Sequence, residues 1–284
     1  MIGPAAVGTP VAAARAFLFV PGVRPDRFAR AAGSGGHPVL DLEDAVTPAD
    51  KAAAREAVGT WLRGGNVAAV RVNARGTEWF EDDVRAVASH ASAVVLPKTD
   101  CAEDVAAVHR AAGREVPVMP LVETPQGVLR AAEIAGARGV VRLALGHLDL
   151  AVTLGVDPRS QDALLLTRST LVLASAAAGL PGPVDGVTPE VRDTARVRED
   201  TAHARELGLT ARLCIHPDQV VLVDEGLRPA PEEIAWARSV LGAIGDGGDA
   251  VAVVDGRMVD APVVARARRV LAADDPVAPG GPHD

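Results

Sequence analysis

The sequence repeats one pattern eight times: a short apolar run of strand length, then a stretch rich in Ala, Arg and Glu. Several apolar runs are almost continuously hydrophobic, which is typical of parallel strands covered by helices on both faces. The small and charged residues between them favour helices packed on a sheet. The alternation predicts an α/β fold, a closed (β/α)₈ TIM barrel. The expected strands lie within residues 16–22, 38–44, 68–73, 93–98, 116–123, 140–149, 182–186 and 211–217.

The charge balance and the cysteine content exclude several classes of protein. Asp and Glu number 37 against 29 Lys and Arg, for a net charge of −8, which is the opposite of a nucleic-acid-binding protein. No apolar stretch approaches the roughly 18 residues that span a bilayer. The N-terminus lacks the charged and Leu-rich segments of a signal peptide, and two distant cysteines predict no disulfide framework. We therefore expect a cytoplasmic protein that binds neither nucleic acid nor a membrane.

The chain exceeds what eight strand–helix units require, and the excess lies at its C-terminal end. PEEIAWARSVLGAI predicts a helix with acidic residues in its first turn. A hairpin around Asp255-Gly256 and a further helix are expected after it. We predict four segments: a flexible N-terminal tail, the barrel, a C-terminal helical and hairpin extension that contacts a neighbouring subunit, and a disordered tail. Their bounds are 1–14, 15–225, 226–271 and 272–284.

Polar residues end the expected strands, and two of them are carboxylates that close long apolar runs. Glu123 ends VPVMPLVE and Asp149 ends VRLALGHLD. A carboxylate at the end of a buried strand is costly unless something pairs with it. In a parallel barrel both would lie on the rim that carries active sites. Two oxygen ligands with room for water and substrate predict a Mg²⁺ site.

Three further rim residues suit the surroundings of such a metal. Glu43 and Asp44 could hydrogen-bond metal-bound waters, although Asp44 could instead cap the helix entered at Thr47-Pro48. Arg71 suits an oxyanion or a substrate carboxylate, or a salt bridge within the barrel to Glu43 or Asp44. Motifs for nucleotide-binding loops and zinc sites are absent from the sequence.

Nine stretches of the sequence resemble, in order over residues 15–271, the citrate lyase beta-subunit and malyl-CoA lyase family of Mg²⁺-dependent carbon–carbon lyases. The most specific of them are VLDLEDAVTPADKAAAR and LVETPQGVLRAAEIA, and the others include FLFVPGVRPDRF, VVLPKT, GHLDLAVTLG, RLCIHPDQV and VDGRMVDAPVVARARRVL. The resemblance implies a (β/α)₈ barrel, part of the 2-oxo-acid aldolase superfamily, with Mg²⁺ bound by Glu123 and Asp149.

The same resemblance implies roles for three more residues. Arg24 and Lys98 match positions near the acyl or CoA end of the substrate. Asp260, in the C-terminal VDGRMVDAPV segment, is expected to reach a neighbouring subunit and act there as a base. The chain departs from the family where Leu148 and Thr153 replace two acids beside Asp149. This departure implies an altered substrate preference, with the metal ligand retained.

We therefore expect a lyase that cleaves or forms a 3-hydroxyacyl-CoA, such as malyl-CoA, methylmalyl-CoA or citramalyl-CoA, giving glyoxylate or pyruvate and an acyl-CoA. Arg71 would offset the charge of the enolate. The alternatives are an aldolase that acts on free hydroxy or oxo acids, a citrate lyase beta subunit that works with a carrier protein, and a binding pseudoenzyme. A segment that completes a neighbour's site implies a trimer or hexamer.

Overall fold

The computed structural model describes residues 10–244, 252–254 and 257–274. Its contacts separate the chain into two compact units, 1–227 and 228–284. The first unit contains the elements α1 Pro10–Ala13, β1 Ala16–Pro21, α2 Phe28–Ala32, β2 His37–Asp41, α3 Lys51–Arg63, β3 Ala69–Arg71, α4 Phe80–Val87, β4 Val94–Leu96, α5 Ala102–Ala112, β5 Val118–Val122, α6 Pro125–Leu129, α7 Ala131–Ala135, β6 Ala144–Leu145, α8 His147–Leu154, α9 Leu165–Ala178, β7 Val184–Asp185, α10 Thr194–Leu207, β8 Ala211–Cys214 and α11 Pro217–Leu227, with short 3₁₀ turns at Pro25–Arg27 and Pro48–Asp50.

The eight strands of the first unit close into a barrel in sequence order, and every neighbouring pair is parallel. Side chains alternate between two apolar layers, as the period of a strand requires. Phe17, Val39 and Met119 fill the interior, whereas Leu18, Leu40 and Val70 pack between the strands and the outer helices. The predicted TIM barrel is confirmed.

The sixth strand is much shorter than the sequence predicts. The apolar run 140–149 was expected to be a strand that ends on Asp149, but only Ala144–Leu145 pair as β6, and α8 begins at His147. Gly146 separates the two elements as the N-cap of α8. Strand and helix are joined here without a polar break, so the apolar pattern alone does not distinguish them. Asp149 therefore lies in the first turn of a helix.

Part of the expected N-terminal tail belongs to the barrel. Residues 1–9 lie outside the described part of the chain, but α1 places Val11 in the interior layer, fully buried. Arg142 lies beside it, also buried, and its guanidinium donates to the backbone oxygens of Val11, Ala12 and Ala14 at 2.7–3.3 Å. These hydrogen bonds hold α1 against the barrel, which is why this segment is ordered.

The second unit consists of α12 Pro231–Ile244, an antiparallel pair formed by β9 Ala252–Val254 and β10 Arg257–Val259, and α13 Ala261–Asp274. The expected helix–hairpin–helix order is therefore present, although the turn residues 255–256 lie outside the described part of the chain. The last expected segment, 272–284, begins inside α13, and residues beyond 274 are not described. Among the residues that the structure describes, no helix is long and apolar enough to cross a membrane.

Candidate active site

The centre of the site is an ion-paired arginine at the end of β3. Arg71 donates from Nε and Nη2 to the two carboxylate oxygens of Asp41, both at 2.7 Å. Asp41 is the last residue of β2, and its oxygens also accept from the backbone N–H groups of Glu43 and Ala45. Burial alone would lower the pKa of Arg71, but its hydrogen bonds with Asp41 raise it. A bidentate pair of this kind fixes the plane of the guanidinium.

Glu43 and Asp44 lie on the other side of the Arg71 guanidinium. Nη1 of Arg71 is 3.0 Å from Glu43 Oε2 and 3.3 Å from Asp44 Oδ2. The barrel salt bridge considered for Arg71 is therefore present, with Asp41 as an additional partner that the sequence reasoning did not assign. Asp44 contacts Arg71, whereas the N-cap of the following 3₁₀ turn is Thr47. The capping alternative for Asp44 is therefore wrong.

Lys98 connects this cluster to the end of β5. Its Nζ donates to Glu43 Oε1 at 2.5 Å, and its backbone N–H donates to Glu123 Oε1 at 2.8 Å. The residue has φ of +49°, in the left-handed region that residues other than glycine seldom adopt. Strained backbone of this kind concentrates at functional sites. Here it allows one residue to bind both carboxylates.

Glu123, directly after β5, is 4% exposed. Burial raises its pKa to about 8, and the nearby negative charges of Glu43 and Asp149 act in the same direction. The hydrogen bond from Lys98 N–H opposes this shift without cancelling it. The negative charge of an ionised Glu123 is therefore not balanced by the surrounding residues. A cation bound beside it would stabilise the ionised form.

Gly146 makes room for the Glu123 side chain. A Cβ atom at position 146 would lie 2.2 Å from Glu123 Oε2 and 2.6 Å from Glu123 Cβ. Any larger residue would displace the carboxylate. The same glycine starts α8, and Asp149 follows in the first turn of that helix with its side chain exposed. The β6–α8 connection thus brings the second carboxylate to the side of the cavity that Glu123 lines.

His147 lies between the two carboxylate segments and the strand β7. It is 5% exposed, and burial lowers its pKa to about 4. A Cβ atom at Gly186 would lie 1.9 Å from His147 Nδ1, so the ring occupies the space that this glycine leaves. Asp185, fully buried beside it, pairs with Arg168 and Arg212 at 2.9 Å each. The neutral imidazole thus lines the cavity and packs against Gly186.

Several of these residues line one cavity of about 440 Å³ at the ends of the barrel strands. Its lining includes five charged residues: Asp41, Asp44, Arg71, Glu123 and Asp149. The apolar part of the lining comes from Phe19, Leu121, Leu145, Leu148, Val187, Leu213 and Ile215. A ligand that carries several oxygens and an aliphatic group matches this mixed lining.

Four predicted site residues are not among those that line the cavity: Glu43 and Lys98, which pair with each other, and Arg24 and Asp260. Arg24 follows β1, is partly exposed and forms a bidentate pair with Asp26 at 2.7–2.8 Å. Asp260 is exposed and accepts from Val263 N–H at 3.2 Å, so it caps α13. Both contacts are local. The substrate role of Arg24 and the base role of Asp260 remain predictions.

The described residues contain no group of three or more His, Cys, Asp or Glu side chains arranged to hold a metal ion. Two carboxylates, Glu123 and Asp149, line the cavity together. A pair of this kind suits Mg²⁺, which keeps several waters and takes one or two carboxylates from a protein. The donor set therefore fits magnesium better than it fits zinc, which needs more protein ligands.

A family model described as HpcH/HpaI aldolase/citrate lyase matches residues 15–217. The chain belongs to this family. A relative in Mycobacterium tuberculosis, the citrate lyase subunit beta-like protein, is 39% identical over 92% of this chain and 95% of its own length. The (3S)-malyl-CoA thioesterase of Cereibacter sphaeroides is 34% identical over 94% of this chain and 96% of its own. The predicted membership in a family of carbon–carbon lyases is confirmed.

A solved structure of the same family has the same architecture. The CitE protein of Mycobacterium tuberculosis, in complex with magnesium, acetoacetate and coenzyme A, matches with a TM-score of 0.78 and 35% identity. The match covers 93% of this chain and 98% of that protein.

Proposed function

We propose that this protein is a Mg²⁺-dependent carbon–carbon lyase that cleaves or forms a 3-hydroxyacyl-CoA with a carboxylate beside the hydroxyl. The observation that carries the proposal is the cavity that Glu123, Asp149 and Arg71 line together with apolar side chains. Malyl-CoA, methylmalyl-CoA and citramalyl-CoA are substrates of this form. The products are then glyoxylate or pyruvate and an acyl-CoA.

Glu123 and Asp149 would hold the metal. When bound, Mg²⁺ supplies Lewis acidity and a template for the hydroxyl and carboxylate oxygens of the substrate. Glu43 and Asp44 would orient the waters around it. The CitE protein binds magnesium and coenzyme A, which supports a magnesium ion and a CoA thioester as ligands of this site.

Arg71 would bind the oxygen on which negative charge develops as the carbon–carbon bond breaks. Its guanidinium is fixed by Asp41 on two nitrogens, so Nη1, which lies near Glu43 and Asp44, is the nitrogen best placed to donate to a ligand. A preorganised cation costs little reorganisation when the charge appears. Arg24 and Lys98 would contact the acyl or CoA end of the substrate.

Asp260 of a neighbouring subunit would remove the acyl α-proton in the condensation direction, or assist hydrolysis of the thioester. Its side-chain exposure supports this role, because a carboxylate that serves another subunit has to be accessible before assembly. Thioester hydrolysis is a second candidate activity, and the similarity to the (3S)-malyl-CoA thioesterase favours it.

Replacing either metal ligand tests the proposal. Glu123→Ala and Asp149→Ala should abolish the Mg²⁺-dependent release of glyoxylate or pyruvate from a panel of acyl-CoA thioesters. Glu115→Ala is the matched control. Glu115 lies just before the N-terminal end of β5, whereas Glu123 follows its C-terminal end. Full activity in either ligand variant would reject the metal assignment.

The same panel separates the alternatives. Turnover of free hydroxy or oxo acids in preference to CoA thioesters would identify an aldolase of free acids. Activity that appears only with an acyl-carrier protein would identify a citrate lyase beta subunit. Mg²⁺ binding without any lyase or thioesterase turnover would identify a pseudoenzyme.

A further inference from the structure

Lysine is rare in this chain. Of its 29 Lys and Arg residues, two are lysines, Lys51 and Lys98. Both ammonium groups contact the same residue, Glu43. Lys51 Nζ donates to the Glu43 backbone oxygen at 2.7 Å, and Lys98 Nζ donates to Glu43 Oε1 at 2.5 Å. An ammonium is a compact point donor, whereas a guanidinium is a planar fork. Both lysines of the chain thus contact Glu43, Lys51 at the backbone oxygen and Lys98 at the carboxylate.

The surroundings of Lys51 match the three N–H donors of an ammonium. Its Nζ donates to Leu42 O at 2.7 Å, to Glu43 O at 2.7 Å and to Asn73 Oδ1 at 2.6 Å. An ammonium has three protons and no acceptor, so these contacts use all of them. The side chain is buried, and the ring of Trp79 lies 5.1 Å from Nζ. Lys51 is therefore a fully satisfied cation in the protein interior.

Lys51 joins the loop after β2 to the segment after β3. The first of these carries Glu43 and Asp44, and the second continues from Arg71 to Asn73. Asn73 Nδ2 also donates to Leu42 O at 2.9 Å and to the buried carboxylate of Asp83 at 2.6 Å. Two of the segments that contribute charged residues to the cavity, those of Asp44 and Arg71, are thus fastened to one ammonium group.

We propose that Lys51 is a positioning residue of this active site. It holds the Glu43 backbone so that the Glu43 side chain lies between Lys98 and Arg71. It acts through Glu43 and does not itself line the cavity. This inference rests on the proposed lyase function for its kinetic test, but the placement of Glu43 is testable without any turnover.

Arginine at position 51 cannot reproduce these contacts. Its five N–H groups lie in one plane, whereas the three acceptors around Lys51 Nζ converge on a single atom. A guanidinium there would displace the Leu42–Glu43 backbone or the Asn73 amide. The charge would be kept and the geometry lost, so the Lys51→Arg variant separates a positioning role from a purely electrostatic one.

The kinetic test compares Lys51→Met and Lys51→Arg with Arg63→Lys. Arg63 lies on the same helix, α3, and forms an exposed pair with Glu56, so its replacement controls for an exchange of basic residues. Misplacing a catalytic group by about 1 Å costs about 100-fold in rate. We expect kcat to fall about 100-fold in both Lys51 variants while KM for the thioester stays near that of the wild type. Arg63→Lys should behave as the wild type.

The second test measures the reaction of Lys98 with an amine-selective acetylating reagent, followed by mass spectrometry of the peptide. With only one other lysine, and that one buried, the signal of Lys98 is easily resolved. Glu43→Gln removes the carboxylate that pairs with Lys98 and sets the labelling rate of an unpaired Lys98. Both Lys51 variants should approach that rate, and Arg63→Lys should keep the slow rate of the wild type.

The two tests fail in different ways. If the wild type cleaves none of the thioesters, the proposed function fails, and the labelling of Lys98 still decides the role of Lys51. Wild-type labelling in a folded Lys51→Arg protein, or undiminished kcat in it, overturns the positioning role. Should Lys51→Met not fold, Lys51→Arg and Lys51→Gln, which keep hydrogen-bond donors, carry the test. Loss of folding in all three would assign Lys51 to stability and reject the proposal.

Discussion

At the scale of single residues, the buried carboxyl group of Glu123 couples metal binding to pH. Its pKa lies at about 8, raised by burial from an ordinary value of 4.5, so at neutral pH the metal-free protein holds a proton there. Mg²⁺ binding requires the carboxylate and therefore releases that proton. We expect the affinity for Mg²⁺ to rise with pH up to about 8.

Calorimetry in buffers of different ionisation enthalpy measures the released proton directly. Glu123→Gln should abolish both the proton release and the tight binding. The metal-free protein gives an independent check. Because the folded state binds the proton more tightly than the unfolded state, Glu123 makes stability fall as pH rises from 4.5 to 8. Thermal unfolding in a chelator should show a weaker pH dependence in Glu123→Gln. An unchanged pH dependence would contradict the raised pKa.

Gly146 is the residue whose replacement should damage the site most with the smallest change in volume. A Cβ atom there meets Glu123 Oε2 at 2.2 Å, so Gly146→Ala should displace the carboxylate and lower the affinity for Mg²⁺ by at least about tenfold. Gly136→Ala is the control, because its Cβ would have no neighbour closer than 3.4 Å. Titration of both variants with Mg²⁺ provides the measurement, and equal affinities would contradict the prediction.

At the scale of elements, the helix α1 depends on Arg142. This buried guanidinium donates to the backbone oxygens of Val11, Ala12 and Ala14, to Gly182 O and to Thr210 Oγ1. Replacing it with methionine leaves these acceptors unsatisfied. We expect the free energy of unfolding to fall by about 3 kcal/mol.

Chemical denaturation measures the effect of Arg142→Met. Arg138→Met is the matched control, because Arg138 is largely exposed and its pair with Glu115 is a surface contact, worth at most about 1 kcal/mol. Since α1 packs at the interior layer and not at the cavity wall, Arg142→Met should keep its kcat at temperatures where it is folded. Equal stability of the two variants would show that α1 is held by other contacts.

At the scale of the whole molecule, the proposed base Asp260 lies in the unit 228–284, whereas both proposed metal ligands lie in the unit 1–227. If Asp260 serves a neighbouring subunit, two inactive variants should complement each other. Asp260→Ala should lose condensation or thioester hydrolysis, and Asp149→Ala should lose all Mg²⁺-dependent activity.

Mixed oligomers of these two variants test the arrangement. An active site needs an intact Asp149 in its own subunit and an intact Asp260 in the neighbour. If subunits from an equal mixture assemble at random into a closed ring, about one site in four meets both conditions. We expect about one quarter of the wild-type hydrolysis rate after the two variants are unfolded, mixed and refolded together. No recovery would place Asp260 in its own subunit or outside catalysis, and unchanged rates in Asp260→Ala alone would reject its role as a base.

The sequence by itself determined the barrel, because eight nearly continuous apolar runs separated by helical stretches leave few other ways to bury both faces of a parallel sheet. It also indicated that Glu43, Asp44, Arg71, Glu123 and Asp149 share one rim, since each lies at or just after an apolar run and the ends of parallel strands meet there. The excess of chain after the eighth strand also predicted the helix, hairpin and helix of the extension, and the family resemblance added only the role expected for Asp260.

Only the tertiary structure decided how these side chains are paired. In the sequence, Asp41 looks like any other acid at the end of a strand. Its bidentate bond with Arg71 follows from the register of β2 and β3, which places the two residues side by side. Asp149 reads as a strand end and lies instead on a helix, because a glycine and not a polar break ends the strand. Lys51 gives no local sign of its three acceptors, since they come from two segments that meet only when the barrel closes. Such pairs form between segments that are distant in sequence and meet only when the barrel closes. The local sequence pattern therefore does not predict them.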